Sequence, residues 1–252
     1  MPDRADPVRP GASALPDAAR LLAAVDATWP PAGMREAAGW CLRRGSGGGK
    51  RVSAASAVRS GEVPDIGAAV ARLAAWGQEP LFRIGPGEAA LDAELGARGY
   101  GVIDPVAIYC APSAAIDDGA DQTARVIRVA TPLRIVEEIW AEGGIGPGRL
   151  AVMERPAGPR SVLLARVEDR PAGVAFVAVD REVAMIHAVE VATGFRRKGA
   201  GGALLRGAAR FALEHGAPWL ALAVTEANEP ARTLYERLGM GIAARYHYRI
   251  LD

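Results

Sequence analysis

Residues 194–216 read "GFRRKGAGGALLRGAARFALEHG". Three consecutive cations, Arg196, Arg197 and Lys198, run into Gly199-Ala200-Gly201-Gly202. Beyond them Leu204, Leu205, Ala208, Phe211 and Ala212 recur at the spacing of one helix face. The first backbone N–H groups of a helix lack intrahelical partners, and the aligned peptide dipoles add partial positive charge there. Glycines let those amides approach a ligand without intervening side chains, so an anion, a pyrophosphate in particular, suits this position. The bland alternative for the same residues is a glycine-rich helix entry with solvated cations. At the far end, Gly216 reads as a helix C-cap and His215 as a ring suited to the negative end of the dipole.

Outward from this helix, the second half reads as a strand "ARVIRVA", a helix "PLRIVEEIWAEG", and strands "RLAVMER", "SVLLARVE", "AGVAFVAVD" and "EVAMIHAVEV". After the quoted helix come a strand "WLALAV", a helix "EPARTLYERLG" and a strand "IAARYHYRI". The first half reads as a helix at Asp17–Ala27, strands around "GWCLRRG" and "KRVSAASAV", and a helix at Asp65–Trp76. A strand "PLFRI", a helix "GEAALDAELGARG" and a strand "VAIYC" complete it. Antiparallel strands followed by a strand–helix–strand–helix–strand tail predict a mixed α/β sheet. "LDAELGARG" at Leu91 and "LYERLGMG" at Leu234 both place leucines at i and i+4 before a glycine at a helix end. The same element order precedes each, as an internal duplication would give.

"VEVATGFRRKGAGGALL" followed by "ALAVTEANEPARTLYERLGMGI" resembles the GCN5-related N-acetyltransferase (GNAT) family. Arg196, Gly199 and Gly201 match its Arg/Gln-x-x-Gly-x-Gly/Ala signature at a strand-to-helix junction, and Asn228, Leu234, Tyr235 and Gly239 match its second element. The likeness runs from about Ala124 to Asp252 and is faint before that. It implies the acyl-CoA N-acyltransferase fold, here as two tandem GNAT-like domains, each with a mixed, mostly antiparallel sheet flanked by helices. The expected division is an extended or disordered tail over 1–13, a degenerate domain without cofactor site over 14–112, a linker over 113–122 ("APSAAIDDGADQ" from Ala111) and a catalytic domain over 123–252.

The resemblance implies acetyl-CoA as acyl donor, with its pyrophosphate on Arg196, Arg197, Lys198, Gly199, Ala200, Gly201 and Gly202. Its pantetheine arm would meet the backbone of Val189 and Val191, and Asn228 would contact it where two strands diverge. The reaction implied is direct acetyl transfer to a primary amine of a small molecule or peptide. Such an amine is mostly protonated at neutral pH, so a base must remove a proton before attack. Tyr235 matches the family's general acid for the leaving thiolate, or else is an aromatic packed on the sheet. Some relatives place a Glu base on the strand "AMIHAVEV". Strict alternation puts Met185, His187, Val189 and Val191 on one face and Ile186, Ala188 and Glu190 on the other, so His187 and Glu190 would not share a cleft. His187 is then the expected base or relay, or a satisfied core histidine. A second reading of the chain is a non-catalytic acyl-CoA-binding sensor.

Composition sets limits. Lys+Arg 30 against Asp+Glu 29 is not the surplus of a nucleic-acid binder. Cys41 and Cys110 form no CxxC pair, and no Cys/His cluster has metal-ligand spacing. The first residues lack a signal-peptide core, and no apolar run approaches a membrane span, so a cytoplasmic protein away from the membrane is expected, a monomer (tandem pseudo-dimer) or a homodimer. "GSGGGKR" at Gly45 lacks the spacing and the Ser/Thr of a P-loop and reads as a turn. "RIGPGEAALDAELGARGYGVID" mimics a dinucleotide fingerprint, but Pro86 sits inside its turn and Pro105 follows its acid. In the first half, "RSGEVPD" stands where a cofactor loop belongs; its Glu62 and Asp65 would repel a pyrophosphate, and Asp92 stands in the place of Tyr235. One active site, in the second half, is expected.

Overall fold

The computed structural model describes residues 14–117, 119, 124–129 and 133–251; the expected tail 1–13 and part of the expected linker, 118 and 120–122, lie outside them. The first half contains α1 (Ala18–Thr28), β1 (Gly33–Ala37), β2 (Trp40–Arg44), a 3-10 turn (Lys50–Val52), β3 (Ser56–Ala57), α2 (Ile66–Ala74), β4 (Leu81–Ile84), α3 (Ala89–Ala97) and β5 (Tyr100–Pro112). A single turn, α4 (Ser113–Ile116), leads away from it. The second half contains β6 (Arg125–Val129), α5 (Arg134–Glu142), α6 (Pro147–Met153), β7 (Arg160–Val167), β8 (Arg170–Asp180) and β9 (Val183–Val191). Then come a 3-10 turn (Thr193–Phe195), α7 (Ala200–Glu214), β10 (Trp219–Thr225), α8 (Glu229–Arg237) and β11 (Gly241–Leu251).

The strands form a small sheet, β1-β2-β3, and an eight-stranded sheet in the order β4-β11-β5-β10-β9-β8-β7-β6. In that order the halves exchange strands. β5, from the first half, lies between β10 and β11 and pairs antiparallel with both. β11, from the second half, lies between β4 and β5. Each half thus supplies the strand that closes the other's sheet, and the exchange leaves neither half an open edge at the seam. The buried run Val106–Ala111 explains why β5 sits inside a sheet: it is apolar on both faces.

Helices cover both faces of the large sheet. α7 packs its Ala203, Leu204, Ala208, Phe211 and Ala212 on one face with Leu163, Ala175 and Ile186. On the other face α1 lies over Met185 and Ala221, and α5 with α6 lies over Val162, Val174 and Phe176. α2 and α3 pack with Trp40, Phe82 and Tyr100. Asp26 on α1 joins β2 to β4 by bonding Arg43 at 2.6 Å and Arg83 at 3.1 Å. Burial raises the pKa of its carboxyl, but Arg83 and Arg43 outweigh burial and hold it below the ordinary value.

The structure corrects two expected strands. "RLAVMER" falls in α6, which starts with Gly146 as N-cap and Pro147 in its first turn. A short apolar run does not separate buried strand from buried helix, whereas proline's fixed φ suits the first helical position. "KRVSAASAV" contains a 3-10 turn and only the two-residue β3. Sequence reading also missed β1, "GMREA", whose mostly exposed residues show no alternation. Gly99 and Gly239, the paired helix-end glycines, have φ of +87° and +78°, and Gly216 has +73°. No described helix is long and apolar enough to cross a membrane.

Candidate active site

β9 pairs parallel with β10 only at Val183↔Trp219, Ala184↔Leu220 and Met185↔Ala221. β9 continues to Val191 and β10 to Thr225, so the two part beyond Met185 and open a gap within the sheet. α7 starts beneath β9. Phe195 anchors the preceding turn, with Arg170 and Lys198 at 5.1 and 5.5 Å over its ring. Arg197 takes a left-handed φ of +62°, and Gly199, the N-cap, one of +84°. Among the described residues no side chain caps the first turn of α7, which leaves its leading amides as donors for another partner. The glycine at 201 has a packing cause as well: a Cβ there would come 3.0 Å from Leu234 of α8. Ala200 and Gly202 are buried, while Arg196, Arg197, Lys198 and Gly199 are exposed. Arg196 reaches the Val191 carbonyl at 3.5 Å.

The expected alternation along β9 fails at Ala188. That residue has φ +50°, and the register jumps from Phe176↔His187 to Val174↔Glu190. Phe176 and Val174 are two apart on β8 and share a face, so His187 and Glu190 share it too. Val189 and Val191 turn to the α7 side, where they pack on its core. One extra residue in a strand re-aims everything after it, and an alanine does not announce such a bulge. Trp140 of α5 donates its indole N–H to the Ala188 carbonyl at 2.8 Å and pins the bulge.

His187 is 3 % exposed and both ring nitrogens are engaged. The Thr28 hydroxyl donates to the Ala24 carbonyl at 2.6 Å and accepts from His187 Nε2 at 2.9 Å. Nδ1 therefore holds the lone pair, which accepts from Arg51 Nη1 at 3.1 Å. Burial, then the Arg51 charge, lowers the pKa of His187 well below the ordinary value. With its lone pair on a guanidinium, His187 has no basic site to offer a substrate.

Glu190 is half-buried against the glycine at the end of α5: a Cβ on Gly143 would sit 2.3 Å from the Glu190 carboxyl carbon. Burial raises its pKa, with Arg196 and Arg149 pulling the other way. Tyr235 of α8 is buried, with the Tyr109 ring of β5 at 5.7 Å. Burial, then the charges of Glu190 and Tyr109, push its pKa up to about 12, so it keeps its proton at neutral pH. Tyr109 is itself held, donating to Glu236 at 2.8 Å and accepting from Arg232 at 3.2 Å. Asn228 is exposed and caps α8, its Oδ1 accepting from Ala231 N at 3.2 Å. The charge of Glu190 thus acts on Tyr235, which packs with the core on the α7 side of the sheet.

Sequence reasoning did not find Thr28, Arg51, Tyr109, Trp140 or Gly143. Each meets its partner across the chain or across a helix packing, and the large aromatic side chains were the only signal available. Among the described residues, no three His, Cys, Asp or Glu side chains converge as a metal site.

Residues 134–240 match the model of the Acetyltransferase (GNAT) family. A streptothricin acetyltransferase of Streptomyces lavendulae is 52% identical over 54 residues, which span 21% of this chain and 29% of that enzyme. Two solved structures share the fold along most of the chain. A GCN5-related N-acetyltransferase from Kribbella flavida superposes with a TM-score of 0.69 at 19% identity, covering 93% of this chain and 95% of its own. A tandem GNAT protein from the clavulanic acid biosynthesis pathway gives 0.61 at 14% identity, covering 89% and 85%.

Proposed function

We propose, from the match of residues 134–240 to the GNAT acetyltransferase family, that the protein transfers the acetyl group of acetyl-CoA to a primary amine. The observation that carries this reading is the parting of β9 from β10, with Glu190 on the part of β9 beyond that point and the uncapped start of α7 following the strand. Support for the coenzyme comes from the uncapped helix start with the cations Arg196, Arg197 and Lys198, which suit a diphosphate, and from the β9 backbone at Val189 and Val191, which β10 does not pair. The coenzyme supplies an acetyl thioester.

The chain's residues divide the proton work. Glu190, whose raised pKa brings it toward the operating range of a base, takes a proton from the acceptor amine. As the new C–N bond forms and the C–S bond breaks, Tyr235 donates its phenolic proton to the departing sulfur. Geometry favours Glu190 over His187 as the base, because the His187 lone pair already serves Arg51. His187 instead ties β9 to the first half through Thr28 and Arg51. That tie, with Tyr109 behind Tyr235, supports a first half that completes the cleft while the catalytic groups stand on the second.

A thiol-release assay with acetyl-CoA and a panel of amines tests the reading. Release dependent on an amine is expected. Tight coenzyme binding with no release on any acceptor would support a sensor instead.

A further inference from the structure

Arg51 is held in an unusual way. Its guanidinium bonds the lone pair of the buried His187 at 3.1 Å and lies 6.0 Å over the Trp29 ring. Among the described residues no carboxylate pairs with it. Elsewhere in the first half, Arg43 and Arg83 share Asp26 as their carboxylate partner. A neutral imidazole and an aromatic face fix the orientation of Arg51 yet leave its charge uncompensated and most of its five N–H donors unspent. It is partly exposed, so those donors are within reach of a solute.

Its place is also defined. His187 and Glu190 share a face of β9, three residues apart, which sets the two backbone positions about 7–10 Å from each other. The loop before Arg51 packs backbone to backbone on the first turn of α6: a Cβ on Gly148 would meet the Gly47 carbonyl oxygen at 2.3 Å. On Gly49 it would come 3.6 Å from Arg149 Nε. Arg149 is exposed, also has no carboxylate within ion-pair reach among the described residues, and acts on Glu190. The seam between the halves therefore brings Arg51, seated on His187, to the face of β9 that also carries Glu190, on which Arg149 and Arg196 act.

We infer that Arg51, supported by Arg149, binds an oxyanion of the acceptor, so that the acceptor class is an amine that also carries a carboxylate or a phosphate. The inference rests on the acetyl-transfer reading for the role of Glu190. A purely cationic acceptor meets two unshielded arginines and is disfavoured.

The test uses the full chain with acetyl-CoA and free L-amino acids, each against its own carboxamide, and O-phosphoethanolamine against ethanolamine. Thiol release is measured together with thermal shift of the protein by the acceptor alone. The expected kcat/KM preference for the oxyanion-bearing partner of a pair is about 10- to 100-fold, the size of a charge-assisted hydrogen bond. Which pair shows it separates carboxylate from phosphate. In Arg51→Gln the ratio falls toward one through KM; Arg51→Lys, which keeps the charge without the fork, retains part of it. Equal use of both members of every pair by the wild-type protein would overturn the inference and leave acetyl transfer standing. Absence of thiol release with a thermal shift by acids, lost in Arg51→Gln, would overturn acetyl transfer and leave the oxyanion site. Neither release nor shift would overturn the site.

Discussion

α2 and α7 stand at the same place in the two halves, each leading into the strand–helix–strand that ends its half, and they differ in what satisfies their first amides. The start of α2 is closed by the chain itself: Asp65 accepts from Ala68 N at 3.3 Å. The start of α7 has Gly199 in its place, with no side-chain cap. The next helices repeat the contrast. Asp92 on α3 is occupied by Arg249 at 2.8 Å and His247 at 2.7 Å, while Tyr235 on α8 lies against the Tyr109 ring and feels the charge of Glu190. One scaffold therefore holds two sets of polar groups, one turned inward to stabilise the fold and one left open.

Breaking the open set should have the largest effect. Glu190→Gln and Tyr235→Phe should each lower kcat by about 10²- to 10⁴-fold, the worth of a positioned base or acid, with coenzyme affinity kept. The acid limb of the kcat/KM profile, placed above the ordinary glutamate range by burial of Glu190, should vanish in Glu190→Gln. Breaking the closed set should cost stability instead. Asp26→Asn strands Arg43 and Arg83 in the interior and should destabilise by ~3–5 kcal/mol in denaturant titration, the cost of breaking a buried pair.

Exchanging the two caps sharpens the comparison. Gly199→Asp puts a carboxylate at the start of α7, on a left-handed φ that disfavours a side chain, and should weaken coenzyme binding on the order of tenfold, ~1.4 kcal/mol by calorimetry. The His187 tie should show in the pH dependence of unfolding. Its folded pKa lies below 6.5, so in that interval the unfolded chain binds the extra proton. Its contribution is full above about 6.5 and is lost as pH falls, at up to ~1.4 kcal/mol per pH unit. His187→Gln should flatten that slope. Asp65→Ala should cost about 1 kcal/mol of stability, a lost cap, without creating a coenzyme site.

What could be read from the sequence was what local chemistry decides. The cations and glycines before Leu204 marked the open helix, the acids of "RSGEVPD" marked the closed one, and Tyr235 stood out by its place in "LYERLGMG". What could not be read depends on distant partners. β5 and β11 look like ordinary final strands, and nothing in either shows that each completes the other half. The bulge at Ala188 is set by pairing with β8 and by Trp140, so a strict two-residue period sent Glu190 to the wrong face and made His187 look like the better base. Thr28 and Arg51, its partners, lie 159 and 136 residues away.

The central claim is a single coenzyme site per chain, at the uncapped start of α7. Calorimetric titration of the full chain with acetyl-CoA tests it most directly. The account predicts one equivalent bound and a weaker isotherm for Gly199→Asp with Asp65→Ala unchanged; two equivalents per chain, or none, would contradict it.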